Sequence, residues 1–375
     1  MTERELTAFF EDLHRHPELG LEEVRTTALL RKALEEAGVK VYPSGMSTGL
    51  IAVIEGALPG RVIGLRADMD ALPVQEESGL AYASQEPGKM HACGHDFHTA
   101  CMLGAALEIK RREKELRGTV KIVFQPAEEV SKGGNVVARQ EILQDCNEFY
   151  AGHTYPGFPA GTLGIRPGPV MAAPDAFTIH MYGKGAHAGN PYQGIDPIPA
   201  AAALALSAQS IVSRFKDAFE PAVLSVTHIQ AGNTWNVVPE EALLEGTLRT
   251  FSQDLRKAMM ARLNAMTEAI AQAHGCTADI QWMIGPDPVV NDAMLCEKAA
   301  EVARGLGFTV KQQDNTMGGE DFSEYLKICP GVFIRVGTGG AYTNHHPKFT
   351  ADERALWPAA LFFAELALRR ARTNI

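Results

Sequence analysis

The sequence predicts an α/β protein: a mixed-sheet α/β/α domain interrupted by a smaller, inserted ferredoxin-like α+β domain. Three observations predict it. Strand-like apolar runs alternate with helical patterns over the first ~170 residues, the order that builds a sheet layered with helices. One βαββαβ set follows, the order of a split-βαβ domain. The α/β texture then returns until the chain ends. At 375 residues the chain exceeds a usual single core. The simplest division makes residues 1–174 and 288–375 one domain and 175–287 the insert.

Each element has its own signal. Thr2 and Glu5 make a capping box, and Leu6, Phe9, Phe10 and Leu13 share one helical face. A second helix is expected from Glu22 to Ala37, stopped by Gly38 as a left-handed cap. "GLIAVIEG" and "RVIGLRADMDALP" read as strands, followed by a helix from Asp96 to near Gly118. "TVKIVFQPAEE" is a buried-strand pattern ended by Pro126, and "NEFYAGHTY" is another. In the insert, "DAFTIHMYGKGAHAG", "AVLSVTHIQAG", "EEALLEGTLRTF" and "TADIQWMI" read as strands. The runs 196–215 and 252–275 between them read as helices. The last part offers a helix over 292–307, the strand "VFIRVGTG" and a closing helix from Asp352.

A net charge of −10 and a pI near 5.7 argue against a nucleic-acid partner, which needs a basic patch. The N-terminus is acidic and helical in spacing, unlike a signal peptide. The apolar stretch around Ala200–Ile211 is too short to span a membrane. Six scattered cysteines without pairing rhythm are expected to be reduced, in the cytoplasm.

"MHACGHDFH" places Cys93 and His95 two residues apart in a glycine-containing loop, with His91 and His98 on either side. Glu128 and Glu129 follow an apolar strand, His153 ends another, and His345-His346 precede the last helix. Ligands in open α/β folds sit beyond the carboxyl ends of strands. Any one of these residues alone reads as an ordinary surface or capping group; four strand ends carrying metal-type ligands together point to a metal centre. Asp68 and Asp70 also end a strand and suit three roles: ligand, orienter of a ligand histidine, or turn cap. Adjacent glutamates have a use at such a centre, one holding metal while its neighbour takes a proton from water.

The motifs "GLRADMDALPVQE", "MHACGHDFHTA", "FQPAEEVSKGG", "GHTYPGFPAGTLGIRPGPVMAA", "GKGAHAG", "MGGEDFSEY" and "HHPKF" together resemble the aminoacylase and carboxypeptidase family of dinuclear-metal hydrolases. Within it the chain is most similar to the hippurate hydrolase, N-acyl-amino-acid amidohydrolase and auxin-conjugate hydrolase branch. The resemblance implies Cys93, His95, Glu129, His153 and His345 as ligands of two divalent ions (zinc, manganese, cobalt or nickel), with Cys93 bridging and His346 as the fallback for His345. It implies Glu128 as general acid/base and Asp68 and Asp70 behind the ligands. It makes the insert a lid and dimerisation domain, whose His187 polarises the scissile carbonyl across a homodimer interface with Asn236 nearby. Arg249 suits a substrate carboxylate, a guanidinium fork matching its two oxygens; an ion pair on an exposed strand is its plain alternative.

The implied reaction is hydrolysis of a small-molecule N-acyl-amino acid to a carboxylate and a free amino acid. A dipeptidase or carboxypeptidase would use the same centre. A cysteine hydrolase would use Cys93 as nucleophile and His95 as base without metal. A metal-binding module without catalysis leaves the second glutamate unexplained. "AGNPYQG" and "NTWN" depart from the runs usual in the family near its substrate cleft.

Overall fold

The computed structural model describes residues 1–372, which divide into two units. Residues 1–170, 290–314 and those from 321 onward form the larger, and 171–289 with 315–320 the inserted one. The hexapeptide 315–320, expected in the larger domain, thus belongs with the insert. Its backbone is the reason: Ala172 N–H donates to Gly318 O at 2.9 Å. A Cβ at Gly319 would also lie 2.3 Å from the Pro174 ring, so only glycine permits the approach.

The larger unit opens with α1 (Glu3–Arg15). Its first turn is closed reciprocally, Glu5 N–H donating to Thr2 Oγ1 and Thr2 N–H to the Glu5 carboxylate. Leu6, Phe10 and Leu13 are buried and Phe9 is half-buried against the core. Helix α2 (Val24–Glu36) is followed by Gly38 at φ +74°, the expected left-handed cap. Next come β1 (Lys40–Pro43), too short for a sequence signal, then β2 (Leu50–Glu55), β3 (Leu58–Asp68) and α3 (His95–Arg111). The strands β4 (Arg117–Gln125), β5 (Glu148–Tyr155) and β6 (Thr162–Gly164) complete this segment. Helix α3 stops at Arg111 instead of near Gly118. Gly118 is left-handed at φ +72° but lies in β4, where a Cβ would meet the Arg61 backbone at 2.1 Å. Close strand approach, and not a helix cap, is what needs that glycine.

The inserted unit runs β7 (Ala173–Tyr182), α4 (Pro197–Ser210), β8 (Ala222–Ala231), β9 (Glu241–Thr250), α5 (Gln253–Ala273) and β10 (Thr277–Met283). Its antiparallel sheet has the order β8-β9-β7-β10, that of the ferredoxin-like fold. Alternate residues Phe177, Ile179 and Met181 point into one core with Leu204, Leu244, Met259 and Leu263. The expected helix over 196–215 changes to a π turn at Ile211. Contrary to the sequence reading, Pro197–Phe215 is long and apolar enough to cross a membrane by length and composition. Ala200, Ala201, Leu204, Ala208 and Ile211 are nevertheless buried within this unit, which makes it a core-covering helix.

The chain then gives the larger unit α6 (Ala293–Gly305), β11 (Thr309–Lys311), β12 (Gly331–Gly337) and α7 (Leu356–Ala371). A short 3-10 turn capped by Asp352 precedes α7. The eight strands are ordered β1-β2-β4-β3-β5-β12-β6-β11, with β4, β3, β5 and β12 mutually parallel. Ile63, Leu65, Val120, Ile122 and Phe124 are fully buried, as expected where helices cover both faces of parallel strands. The carboxyl ends of β3, β4 and β5 lead directly into Asp68, the Glu128-Glu129 turn and His153.

Candidate metal centre

The loop bearing Cys93 closes onto β5 at Gly94, which is left-handed at φ +82°. A Cβ there would stand 2.6 Å from Thr154 Oγ1, so glycine is required twice over. His153 Nδ1 donates to Thr154 O at 2.9 Å, which leaves the Nε2 lone pair facing Cys93 Sγ at 3.4 Å. His95 Nδ1 is 3.3 Å from Asp70 Oδ1, and its Nε2 lies 3.7 Å from Glu129 Oε1. Asp70 also accepts the N–H groups of Glu128 and Glu129, each at 3.0 Å. One carboxylate therefore fixes both the carboxylate turn and the imidazole. Before that turn, Ala127 is left-handed at φ +57° and donates its N–H to Glu23 at 2.8 Å.

His345 Nε2 lies 3.5 Å from Glu129 Oε1. His345 has φ +69°, a conformation that costs a non-glycine residue roughly 1–2 kcal/mol. His346 turns elsewhere, stacking on Tyr342 at 4.3 Å between centroids and accepting the Lys348 N–H at 3.0 Å.

Three of the donor groups among the described residues, in each of which the ligand atoms lie within 4.8 Å of one another, contain these residues: Cys93, His95 and His153; Cys93, Glu129 and His345; His95, Glu128 and Glu129. All five residues read as ligands thus converge with Glu128, and Cys93 belongs to two groups. Buried polar atoms are almost always paired, yet His95 Nε2 and Glu129 Oε1 are buried without a hydrogen-bond partner among the described residues and face each other. A thiol, imidazoles and carboxylates around two such atoms are a donor set that fits divalent transition-metal ions. Asp68, His95 and His98 form another group. There both His98 nitrogens are already used: Nδ1 on Asp68 at 2.5 Å, Nε2 accepting Thr154 N–H at 2.7 Å. Asp68 is equally engaged, its other oxygen receiving Arg66 at 2.6 Å. His91 is buried outside these groups, and burial lowers its pKa to about 4.

Burial and the neighbouring charges set the protonation of these groups. Burial, and then His98, hold His153 well below the usual imidazole range, so it is a neutral donor. Burial opposes charge on His95, but Asp68 and Cys93 outweigh it and raise its pKa. Burial, and then Glu129, push the Cys93 thiol well up. That is the reverse of the electropositive setting that activates a cysteine nucleophile.

Residues 64–369 match the model of peptidase family M20/M25/M40. The chain belongs to this family. It is 44% identical over 358 residues to the N-acetylcysteine deacetylase of Bacillus subtilis, covering 95% of this chain and 94% of that one. It is 33% identical to the thermostable carboxypeptidase 1 of Saccharolobus solfataricus, covering 95% and 93%. Among solved structures it resembles the YXEP protein of Bacillus subtilis, described as a dinuclear metal-binding peptidase of family M20. The TM-score is 0.89 at 40% identity, over 98% of each chain.

In this M20/M25/M40 protein, sequence reasoning placed Asp68 and Asp70 behind the donors but missed what holds Asp68 in turn. Arg66 is buried between Asp68 and Asp321, 2.6 Å from each, with Gln125 accepting from its Nε at 3.0 Å. Removing one partner of such a buried pair typically costs about 3–5 kcal/mol. Their only sequence signal is an arginine inside an otherwise apolar strand. In the insert, His187 is exposed and its Nδ1 accepts the Gly189 N–H at 3.0 Å, leaving Nε2–H as a free donor. Asn236 O accepts the Ala188 N–H at 3.0 Å, which ties its turn to the His187 strand. Arg249 is half-buried, bonded to Thr247 Oγ1 at 2.9 Å, and makes no ion pair among the described residues.

Another missed pair sits beneath α3. His14 contacts Asp96 at 2.6 Å and Glu76 at 3.2 Å. Burial opposes its charge, but Asp96 and then Glu76 outweigh it and raise its pKa from 6.5 to about 9. A pKa raised on folding stabilises fully below pH 6.5 and ceases to do so as pH climbs through about 9. The melting temperature should therefore fall by several degrees across that window, and fall less in His14→Gln. Parallel curves for the two proteins would contradict this assignment.

Proposed function

We propose that the chain hydrolyses the amide bond of N-acyl-amino acids, releasing a carboxylate and a free amino acid. The observation that carries the reading is Glu128, whose carboxylate stands within 4.8 Å of the His95 and Glu129 donor atoms. A site that only stored metal has no use for a second glutamate there. The likeness to an N-acetylcysteine deacetylase supports the substrate class.

Cys93, His95, Glu129, His153 and His345 would hold two divalent ions, with Cys93 shared between them. Bound there, such ions supply Lewis-acid polarisation of the amide carbonyl and lower the pKa of water from about 15.7 to about 7. Zinc matches the sulfur and imidazole donors best, and manganese, cobalt and nickel also suit the carboxylates. Glu128 accepts a proton from the attacking water, whose oxygen bonds to the acyl carbon. It then returns that proton to the amino-acid nitrogen as the C–N bond breaks. His187 Nε2–H donates to the oxyanion, Asn236 holds the same turn, and the Arg249 guanidinium, which makes no ion pair among the described residues, receives the substrate carboxylate.

For His187 to act, a second copy of the chain supplies it, so the active form is a homodimer. The outer edge of β8 in the inserted sheet, with exposed Ile229 on the strand and exposed Phe219 in the turn before it, supports such a surface. Six free cysteines fit a reducing compartment such as the cytoplasm.

The similarity to a carboxypeptidase favours a second reading, cleavage of unblocked peptides at the same centre. A panel of N-acetyl-amino acids, hippurate and free dipeptides, assayed with added zinc or manganese, separates the two. Turnover of the acylated substrates is expected; turnover of dipeptides alone would sink the leading reading.

A further inference from the structure

His345 is the one proposed ligand that is both exposed, at 57% of its side chain, and in the left-handed region. Its loop is not held by packing of the imidazole itself. Beside His345 itself it is held by three hydrogen bonds from Asn344 and the His345 backbone, with Glu77 N–H to Pro347 O and buried Phe349 anchoring the chain that follows. Asn344 Nδ2 donates to Cys93 O at 3.1 Å and to Thr154 Oγ1 at 3.2 Å, and His345 N–H donates to Ala92 O at 2.8 Å. Thr154 is buried and completes the clamp, its Oγ1 donating to the same Cys93 carbonyl at 2.8 Å. The carbonyl of the shared ligand is thus gripped by two side chains, one next to His153 and one next to His345. His95 and His153 have nothing comparable to lose, because His95 is buried, His153 is half-buried, and each is oriented by its own Nδ1 contact.

We propose that Asn344 and Thr154 are positioning residues that keep His345 in its left-handed conformation and so retain one of the two metal ions selectively. The ion held by Cys93, Glu129 and His345 is the labile one, and the Asn344–Thr154 clamp sets how fast it leaves. Without Nδ2 the loop relaxes toward ordinary backbone angles, which swing the imidazole away from Glu129. The ion held by Cys93, His95 and His153 stays. This inference rests on the ligand assignment proposed above.

The test loads the full-length protein with zinc and follows release into a chelating indicator dye. The parent should release two equivalents, one faster than the other. Asn344→Ala should speed the faster phase about tenfold or more, the scale seen when groups behind metal ligands are removed, and leave the slower phase unchanged. Thr154→Val should act in the same direction and Thr154→Ser should restore parental release, which a general loss of stability would not do. His345→Ala should bind one equivalent, and adding Asn344→Ala to it should change nothing further. If Asn344→Ala or Thr154→Val releases both ions at parental rates, or accelerates both equally, the clamp has no such role. A parent that takes up no zinc overturns the ligand assignment itself, and this inference with it.

Discussion

Glu128→Gln should lower kcat by roughly two to four orders of magnitude while both metal ions remain bound. The substitution keeps shape and leaves the backbone N–H on Asp70, 3.0 Å away, so the turn that presents Glu129 is undisturbed. What disappears is a carboxylate able to take the water proton and return it to the leaving nitrogen. Metal content by elemental analysis and turnover of an N-acetyl-amino acid, measured on the same preparation, separate the roles. Loss of an ion would make Glu128 a ligand; undiminished turnover would remove it from the chemistry.

His187→Ala should cost two to three orders of magnitude in kcat, about 2.7–4 kcal/mol, the usual price of one oxyanion donor. Metal content should not change, because His187 belongs to the inserted unit and to none of the donor groups. Co-expression with Glu128→Gln tests whether the histidine crosses between subunits. In a symmetric dimer, a mixed pair then carries one doubly defective site and one intact site. Random pairing should restore roughly a quarter of parental activity. If His187 serves its own subunit, both sites of the mixed pair are damaged and activity stays at the level of the single variants.

The larger features were legible because local chemistry announces them. The Thr2–Glu5 box starts α1 and Gly38 closes α2, both through contacts within a few residues. The donors could be found for a similar reason: Cys93, Glu129, His153 and His345 are unusual residue types, Glu129 and His153 at strand ends and Cys93 and His345 in loops. Of their supports, Asp68 and Asp70 were legible and the others were not. Thr154 and Asn344 are ordinary polar residues whose partner, Cys93, lies 61 and 251 positions away. Gly118 misled because a left-handed glycine serves a helix cap and a close strand approach equally well, and only the position of Arg61 decides between them. The segment 315–320 misled because its assignment to the insert depends on contacts with Ala172 and Pro174, which no periodicity encodes.

The central claim is that Cys93, His95, Glu129, His153 and His345 would together hold two ions, with Cys93 able to serve both. Anomalous diffraction from crystals of the zinc-loaded protein, recorded above and below the zinc edge, addresses it directly. Two peaks are predicted, both about 2.3 Å from Cys93 Sγ, one also bonded to His95 or His153 and the other to Glu129 and His345. A single peak away from Cys93, or no peak among these residues, would contradict the account.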